Sequence, residues 1–256
     1  MAMTLYYERQ GQGPELVLLH GWGLHGGIWG ELPVQLARDY RVTSLDLPGH
    51  GRSGVGHDPL TLQSMTDSIA ELVDAPAIWL GWSLGGFVAL DAALRHPTRV
   101  AGLVLVGATP KFVQSPGWSA GMAPGVFAGF TDSLRQDYRG MLQRFLSLQI
   151  GTDEAGRALI KRLRRELFAH GEPKPDALTA GLRILEQSDL RARLAEIQAP
   201  TLVVQGTHDR LVPLPAGEFL AGHIRGARLV SMAGIGHAPF LSQPEAFLET
   251  LRGFHP

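Results

Sequence analysis

Ala77-Ile78-Trp79-Leu80 runs straight into Gly81-Trp82-Ser83-Leu84-Gly85-Gly86: a short apolar run, then a serine set among glycines. The residues that follow, Leu84–Arg95, place Phe87, Val88, Leu90 and Leu94 at mixed helical spacings, and Pro97 closes the pattern. A G-x-S-x-G pentapeptide between a strand and a helix is the signature of a nucleophile elbow. The need for glycine is steric. A turn sharp enough to strain the serine leaves room only for small neighbours where strand and helix approach. An incidental Gly-Ser turn is the competing reading, and the strand before it and helix after it weigh against that.

Working outward, Leu16–Leu19, Val42–Leu45, Leu103–Val106 and Thr201–Gln205 have the same texture as Ala77–Leu80. Continuous apolar runs alternating with helical segments predict an α/β fold, a mostly parallel, doubly wound sheet covered on both faces. The texture changes between about Phe112 and Gln187. That stretch opens with Pro116, Gly117, Gly121, Pro124 and Gly125. It then turns helical, with Met141, Leu142, Phe145 and Leu148 on one apolar face and Leu159, Ile160, Leu163 and Leu167 on another. The expected organisation is a core of residues 1–111 and 188–256 with a helical cap at 112–187 inserted.

Composition narrows the function classes. The 256 residues are 45% hydrophobic and 18% charged, with a net charge of -1 and no cysteine. Disulfides, thiolate metal sites and a cysteine nucleophile are therefore excluded. Near-neutrality argues against nucleic acid as a partner. No apolar run approaches the roughly 20 residues that span a bilayer, and Met1–Pro14 has no signal-like apolar core. The expectation is a cytoplasmic monomer with no membrane partner.

A serine hydroxyl needs a base, and the base an orienting acid. With an elbow serine, the order is Ser…Asp…His. Asp209, in Gly206-Thr207-His208-Asp209, follows the Thr201–Gln205 run, and His237 sits in the loop Gly234-Ile235-Gly236-His237-Ala238-Pro239. His237 is the candidate base and Asp209 its acid. His208 is a rival base, but on the acid's own loop; His57, His170, His223 and His255 stand in polar surroundings and read as surface. No His-x-x-x-His or carboxylate cluster calls for a metal, and no cofactor is implied.

These motifs together resemble the α/β-hydrolases from end to end: His20-Gly21, Asp46-Leu47-Pro48-Gly49-His50-Gly51-Arg52-Ser53, the Ser83 elbow, Gly206-Thr207-His208-Asp209 and Gly236-His237. The resemblance implies two backbone donors for a developing oxyanion, assigned to the amides of Trp22 and Leu84. His20 and the Asp46–Ser53 loop read as structural. Serine at position 83 weighs against the aspartate-dependent dehalogenases and epoxide hydrolases. Esterases, lactonases, C–C hydrolases and perhydrolases all share these motifs, and a non-catalytic receptor on the same fold is the alternative from another class.

A narrower resemblance lies in Leu19-His20-Gly21-Trp22-Gly23, Leu80–Gly86, Arg144-Phe145-Leu146-Ser147-Leu148-Gln149 and His237-Ala238-Pro239-Phe240. These are similar to the branch of the family that hydrolyses the methyl ester of a pimeloyl chain on acyl carrier protein in biotin synthesis. The resemblance implies a substrate channel lined by Trp22, Phe145 and Gln149. Trp22 and Trp82 flank the serine and are expected to narrow the pocket to a small leaving group. Cap arginines are implied to meet the acyl carrier protein: Arg144 matches, whereas Gly140 stands where a basic residue is expected. Local charge agrees, since the stretch from Arg139 to Arg165 holds seven basic residues against Asp153 and Glu154. On a helix, Arg157, Lys161 and Arg164 share a stripe away from the leucines. A solvated helix face with no partner is the bland alternative.

Overall fold

The apolar runs expected as strands lie side by side in one sheet. The computed structural model describes residues 4–56, 59–148, 160–161 and 168–256. Among the described residues, seven strands form this sheet: β1 (Tyr7–Gln10), β2 (Glu15–Leu19), β3 (Arg41–Leu45), β4 (Ala77–Trp82), β5 (Val100–Val106), β6 (Thr201–Gly206) and β7 (Arg228–Met232). Their order is β1-β3-β2-β4-β5-β6-β7, and only β1 runs antiparallel to its neighbour. Every residue of β2, β4 and β6 is buried, as a sheet covered on both faces requires.

The edge strands β1 and β7 were not among the expected runs. β1 reads Tyr-Glu-Arg-Gln and is exposed along its length, while only Met232 of β7 is buried. An edge strand has one free flank and needs no continuous apolar run, so it leaves little pattern to read.

Register places the chemistry. Leu19 of β2 pairs with Gly81 of β4, Trp82 with Val106 of β5, Val106 with Val204 of β6, and Gly206 with Met232 of β7. The carboxyl ends of these strands therefore end at one edge of the sheet. The chain leaves β2 toward β3 on one side and returns through β4 on the other. Loops after β2 and β4 diverge at that switch point, which is where open α/β sheets form their clefts.

Helices α1 (Leu32–Leu36), α2 (Leu62–Leu72) and α3 (Leu84–Arg95) connect the first strands. A reciprocal cap fixes the start of α2. Thr61 Oγ1 accepts from the Ser64 amide at 3.0 Å, and Ser64 Oγ accepts from the Thr61 amide at 2.9 Å. Between β5 and β6 the regular elements are helical: α4 (Pro124–Gln136), α5 (Tyr138–Leu148), α6 (Pro175–Gln187) and a 3-10 turn at Arg191–Glu196. Two isolated bridges, Val113 with Met122 and Ser115 with Trp118, are the extended pairings there among the described residues. Ile160 and Lys161 are helical; the rest of the helix expected around Leu159–Leu167 lies outside the described residues. After β6 come α7 (Leu214–His223), α8 (Pro239–Ser242) and α9 (Pro244–Arg252).

The helical segment rests on the loops at the carboxyl edge. The Trp22 indole donates to the Leu178 carbonyl of α6 at 2.9 Å, and the Lys174 amide donates to Gly49 at 2.9 Å. A Cβ on Gly23 would lie 2.4 Å from Leu142 of α5. No helix among the described residues is long and apolar enough to cross a membrane.

Candidate active site

Ser83 occupies the corner between β4 and α3 at φ 56°, ψ -114°, the only described non-glycine residue with positive φ. Side chains other than glycine avoid this region, so the fold must hold it there. Its amide donates to Val106 at 3.1 Å, and its carbonyl accepts from Gly86 at 2.9 Å. The glycines are forced by contact. A Cβ would lie 2.3 Å from the Gly85 carbonyl if placed on Gly81, and 2.2 Å from the Leu19 carbonyl if placed on Gly85. On Gly86 it would lie 2.6 Å from the Ala108 methyl.

Asp209 and His237 meet across 28 residues of sequence. His237 Nδ1 lies 2.7 Å from Asp209 Oδ2, and both side chains are completely buried. Asp209 Oδ1 accepts from the amides of Leu211 and Val212, each at 2.9 Å. The carboxylate thus takes the Nδ1 proton as a hydrogen bond, which leaves Nε2 as the nitrogen with a lone pair. Nε2 is buried with no partner among the described residues. A buried polar atom left open in this way marks a place where something else arrives.

Two features that sequence reasoning missed shape this pair. Gly107 has φ 50°, and a Cβ there would lie 2.9 Å from His237 Nδ1, so glycine makes room for the imidazole. Gln205 donates Nε2 to Asp209 Oδ2 at 2.9 Å. Gly107 ends a strand run and carries at least a turn signal; a glutamine at the end of an apolar strand carries none.

Both tryptophans expected beside the serine are anchored through their indole N–H groups. Trp82 is wholly buried: its indole donates to the His237 carbonyl at 2.9 Å, and its ring lies 5.6 Å from His237 and 4.9 Å from Phe240. It supports the histidine loop. Trp22 is also wholly buried, tied to Leu178 and lying 5.7 Å from Phe130. Gly181 of α6 abuts it: a Cβ there would meet Trp22 Cδ1 at 2.5 Å and a Leu84 methyl at 3.5 Å. The two residues assigned to the oxyanion hole therefore share one packing neighbour. Leu84 opens α3, where helix geometry gives the first amides no partner within the helix. Gly21 lies against both Ser83 and Trp82, its would-be Cβ 3.3 Å from Ser83 Cβ and 3.2 Å from Trp82 Cε3.

His20 acts as a tie between loops, as read from the sequence. Its Nε2 accepts from the Leu47 amide at 2.8 Å, so Nδ1 carries the proton toward the Gly21 carbonyl at 2.8 Å. Burial lowers its pKa to about 3, with the neighbouring His50 adding to the effect. Burial likewise lowers His50 to about 4. Asp46 ties the His50 loop to the one that follows His20. It accepts from the Gly26 amide at 2.7 Å and from the Arg52 amide and Nε, each at 2.9 Å. Burial alone would raise its pKa, but the bonds from Arg52 outweigh that and hold it below the usual carboxylate value.

His208, His170, His223 and His255 are exposed; His57 lies outside the described residues. Of the expected carrier contacts, Arg144 is exposed and 3.8 Å from Asp137, and Lys161 is exposed. Phe145 falls on α5 with its side chain not described, and Gln149, Arg157 and Arg164 lie outside the described residues. No group of three or more His, Asp or Glu side chains among the described residues is placed to hold a metal.

A strained serine between β4 and α3, with a buried His–Asp pair on the later loops, defines a class, and comparison with known proteins agrees. The chain belongs to the alpha/beta hydrolase family, whose model matches residues 16–250. Within it, the chain groups with carboxylic ester hydrolases of one kind. It is 43% identical over 244 residues to the pimeloyl-[acyl-carrier protein] methyl ester esterase of Xanthomonas axonopodis pv. citri (strain 306), covering 95% of this chain and 96% of that one. It is 41% identical over 246 residues to the esterase of the same name from Nitrosomonas europaea, covering 96% and 97%. Among solved structures, the esterase EaEST from Exiguobacterium antarcticum superposes with a TM-score of 0.90 at 28% identity, over 98% of this chain and 94% of that one. The enol-lactonase from Burkholderia xenovorans LB400 gives 0.86 at 25% identity, over 98% and 95%.

Proposed function

We propose that this chain hydrolyses the methyl ester of a pimeloyl chain carried on acyl carrier protein, with Ser83 as nucleophile, His237 as base and Asp209 as the carboxylate that orients it. One observation carries the reaction: His237 is bonded to Asp209 through Nδ1 and presents an unpartnered, buried Nε2. In this reading Ser83 Oγ attacks the ester carbonyl carbon while His237 Nε2 takes its proton. The amides of Trp22 and Leu84 donate to the oxyanion, each such donor being worth roughly 2.7–4 kcal/mol in comparable sites. The tetrahedral intermediate collapses, His237 returns the proton to the methoxy oxygen, and methanol leaves. Water then attacks the acyl-enzyme with His237 again as base. This frees Ser83 and the new carboxylate.

The choice of substrate rests on the relatives, which bear that name at 37% to 43% identity over nearly the full chain. The division we propose is a core of residues 1–111 and 188–256 beneath a cap of residues 112–187. Phe145 and Gln149 would line the channel, and Arg144, Arg157, Lys161 and Arg164 would meet the acidic carrier. The stretch from Arg139 to Arg165 has an excess of five positive charges in a chain of net -1. That asymmetry suits one acidic protein docking in one place.

Methanol release from pimeloyl-carrier-protein methyl ester, compared with the free methyl ester over a range of salt, tests the reading. The carrier-bound ester is expected to give the higher kcat/KM, with an advantage that salt erodes and that charge reversal at Arg157 and Lys161 weakens. Equal kcat/KM for the two substrates rejects the carrier and favours a free small ester or lactone, the chemistry named for the lactonase neighbour.

A further inference from the structure

Gln205 is a fully buried polar residue in a strand otherwise made of Thr201, Leu202, Val203, Val204 and Gly206. Its Nε2 donates to two acceptors, Asp209 Oδ2 at 2.9 Å and the Val212 carbonyl at 2.6 Å. Its Oε1 is buried with no partner among the described residues. A carboxylate and a carbonyl cannot donate, so only the amino end of the amide can face them. The orientation that satisfies both leaves the oxygen orphaned. Helix α7 covers the side chain through Gly217, whose would-be Cβ would meet Gln205 Cβ and Cγ at 3.2 Å. An apolar residue of similar length would fill this space without an orphaned oxygen, but it would strip Asp209 Oδ2 and the Val212 carbonyl of their donor.

We propose that Gln205 is a positioning residue for the acid: its amide holds Asp209 Oδ2 in line with His237 Nδ1 and moderates the negative charge that the imidazole meets. The proposal rests on the triad reading. Oδ1 is already held by two backbone amides, so Gln205 is the donor that fixes the other oxygen, the one that works. By bonding Val212 as well, it ties the carboxylate to the far end of its own turn. Other titratable groups near the pair are His208 and Arg210 on the acid's loop and Glu218 and His223 on α7. All four are exposed, and none bonds the pair among the described residues.

The sign of the effect follows from the donor. With the amide gone, Asp209 Oδ2 turns more of its charge on His237, the imidazolium is held more tightly, and it loses its proton at higher pH. In Gln205→Met, which keeps the shape and removes the donor, the acid limb of the kcat/KM profile on a short p-nitrophenyl ester should move to higher pH. Turnover should fall by roughly 10–100-fold with KM little changed, as when the partner orienting a metal-bound imidazole is lost. A purely structural glutamine would lower Tm and leave the limb where it is, and that result overturns the proposal. Should Gln205→Met fail to fold, Gln205→Leu removes the donor with a smaller apolar side chain, and an unmoved limb again overturns the proposal. Ser83→Ala, run alongside, separates the two readings. Turnover surviving in it sinks the triad, whereas an inactive Ser83→Ala beside an unaltered Gln205→Met sinks the positioning role alone.

Discussion

Ser83 is held at φ 56° by a ring of contacts that admit only glycine at positions 81, 85 and 86. Ser83→Ala should cut turnover by about a millionfold, as nucleophile removal does in subtilisin. Burst release of p-nitrophenol is the measurement, and retention of a tenth of the activity would refute the triad. Asp209→Asn should cost about 10⁴-fold, because an amide in that place favours the wrong tautomer of the imidazole. At this scale the three proposed triad residues were singled out from sequence, since each sits in a short motif with its own local context. Gln205 and Gly107 were not. Gln205 bonds an acid four residues along a bent chain, and Gly107 answers to a histidine that β6 and β7 bring round from position 237.

Helix α6 ties the helical segment to the loop after β2. Its Leu178 carbonyl takes the Trp22 indole, and its Gly181 leaves the space that the indole fills. Gly181→Ala would drive a methyl to 2.5 Å from Trp22 Cδ1, and the ring must move. Such overpacking costs about 1–3 kcal/mol of stability, readable as a lower urea midpoint. If Trp22 carries an oxyanion amide, kcat should fall while KM holds. A variant with lowered stability and unaltered kcat would detach α6 from the chemistry. Of the elements, the five buried strands and α3 were readable because burial on two faces writes a continuous apolar run. β1 and β7 were not, because an exposed edge asks almost nothing of its side chains.

Across the whole molecule, two buried histidines couple stability to pH. His20 and His50 titrate at about 3 and about 4, against 6.5 for a free imidazole, so both are neutral in the folded protein at neutral pH. As pH falls through 6.5 the unfolded chain takes up these protons first. Stability that is whole above that value is therefore lost toward pH 4, at about 1.4 kcal/mol per pH unit for each proton. Urea midpoints measured down that range should fall steeply, and His50→Gln should remove part of the slope; a flat profile would contradict the neutral, buried pair. The sequence by itself determined the class of sheet and singled out Ser83, Asp209 and His237 as candidates, because steric and covalent constraints act within a few residues of each motif. The tertiary structure alone decided what those residues touch. It set Trp82 behind the histidine loop, seated Trp22 against α6 and aligned the Ser83, Asp209 and His237 loops along one edge. The reason is physical: those contacts depend on the register of parallel strands far apart in the chain, and no local pattern encodes a register between segments that meet only when the fold is complete.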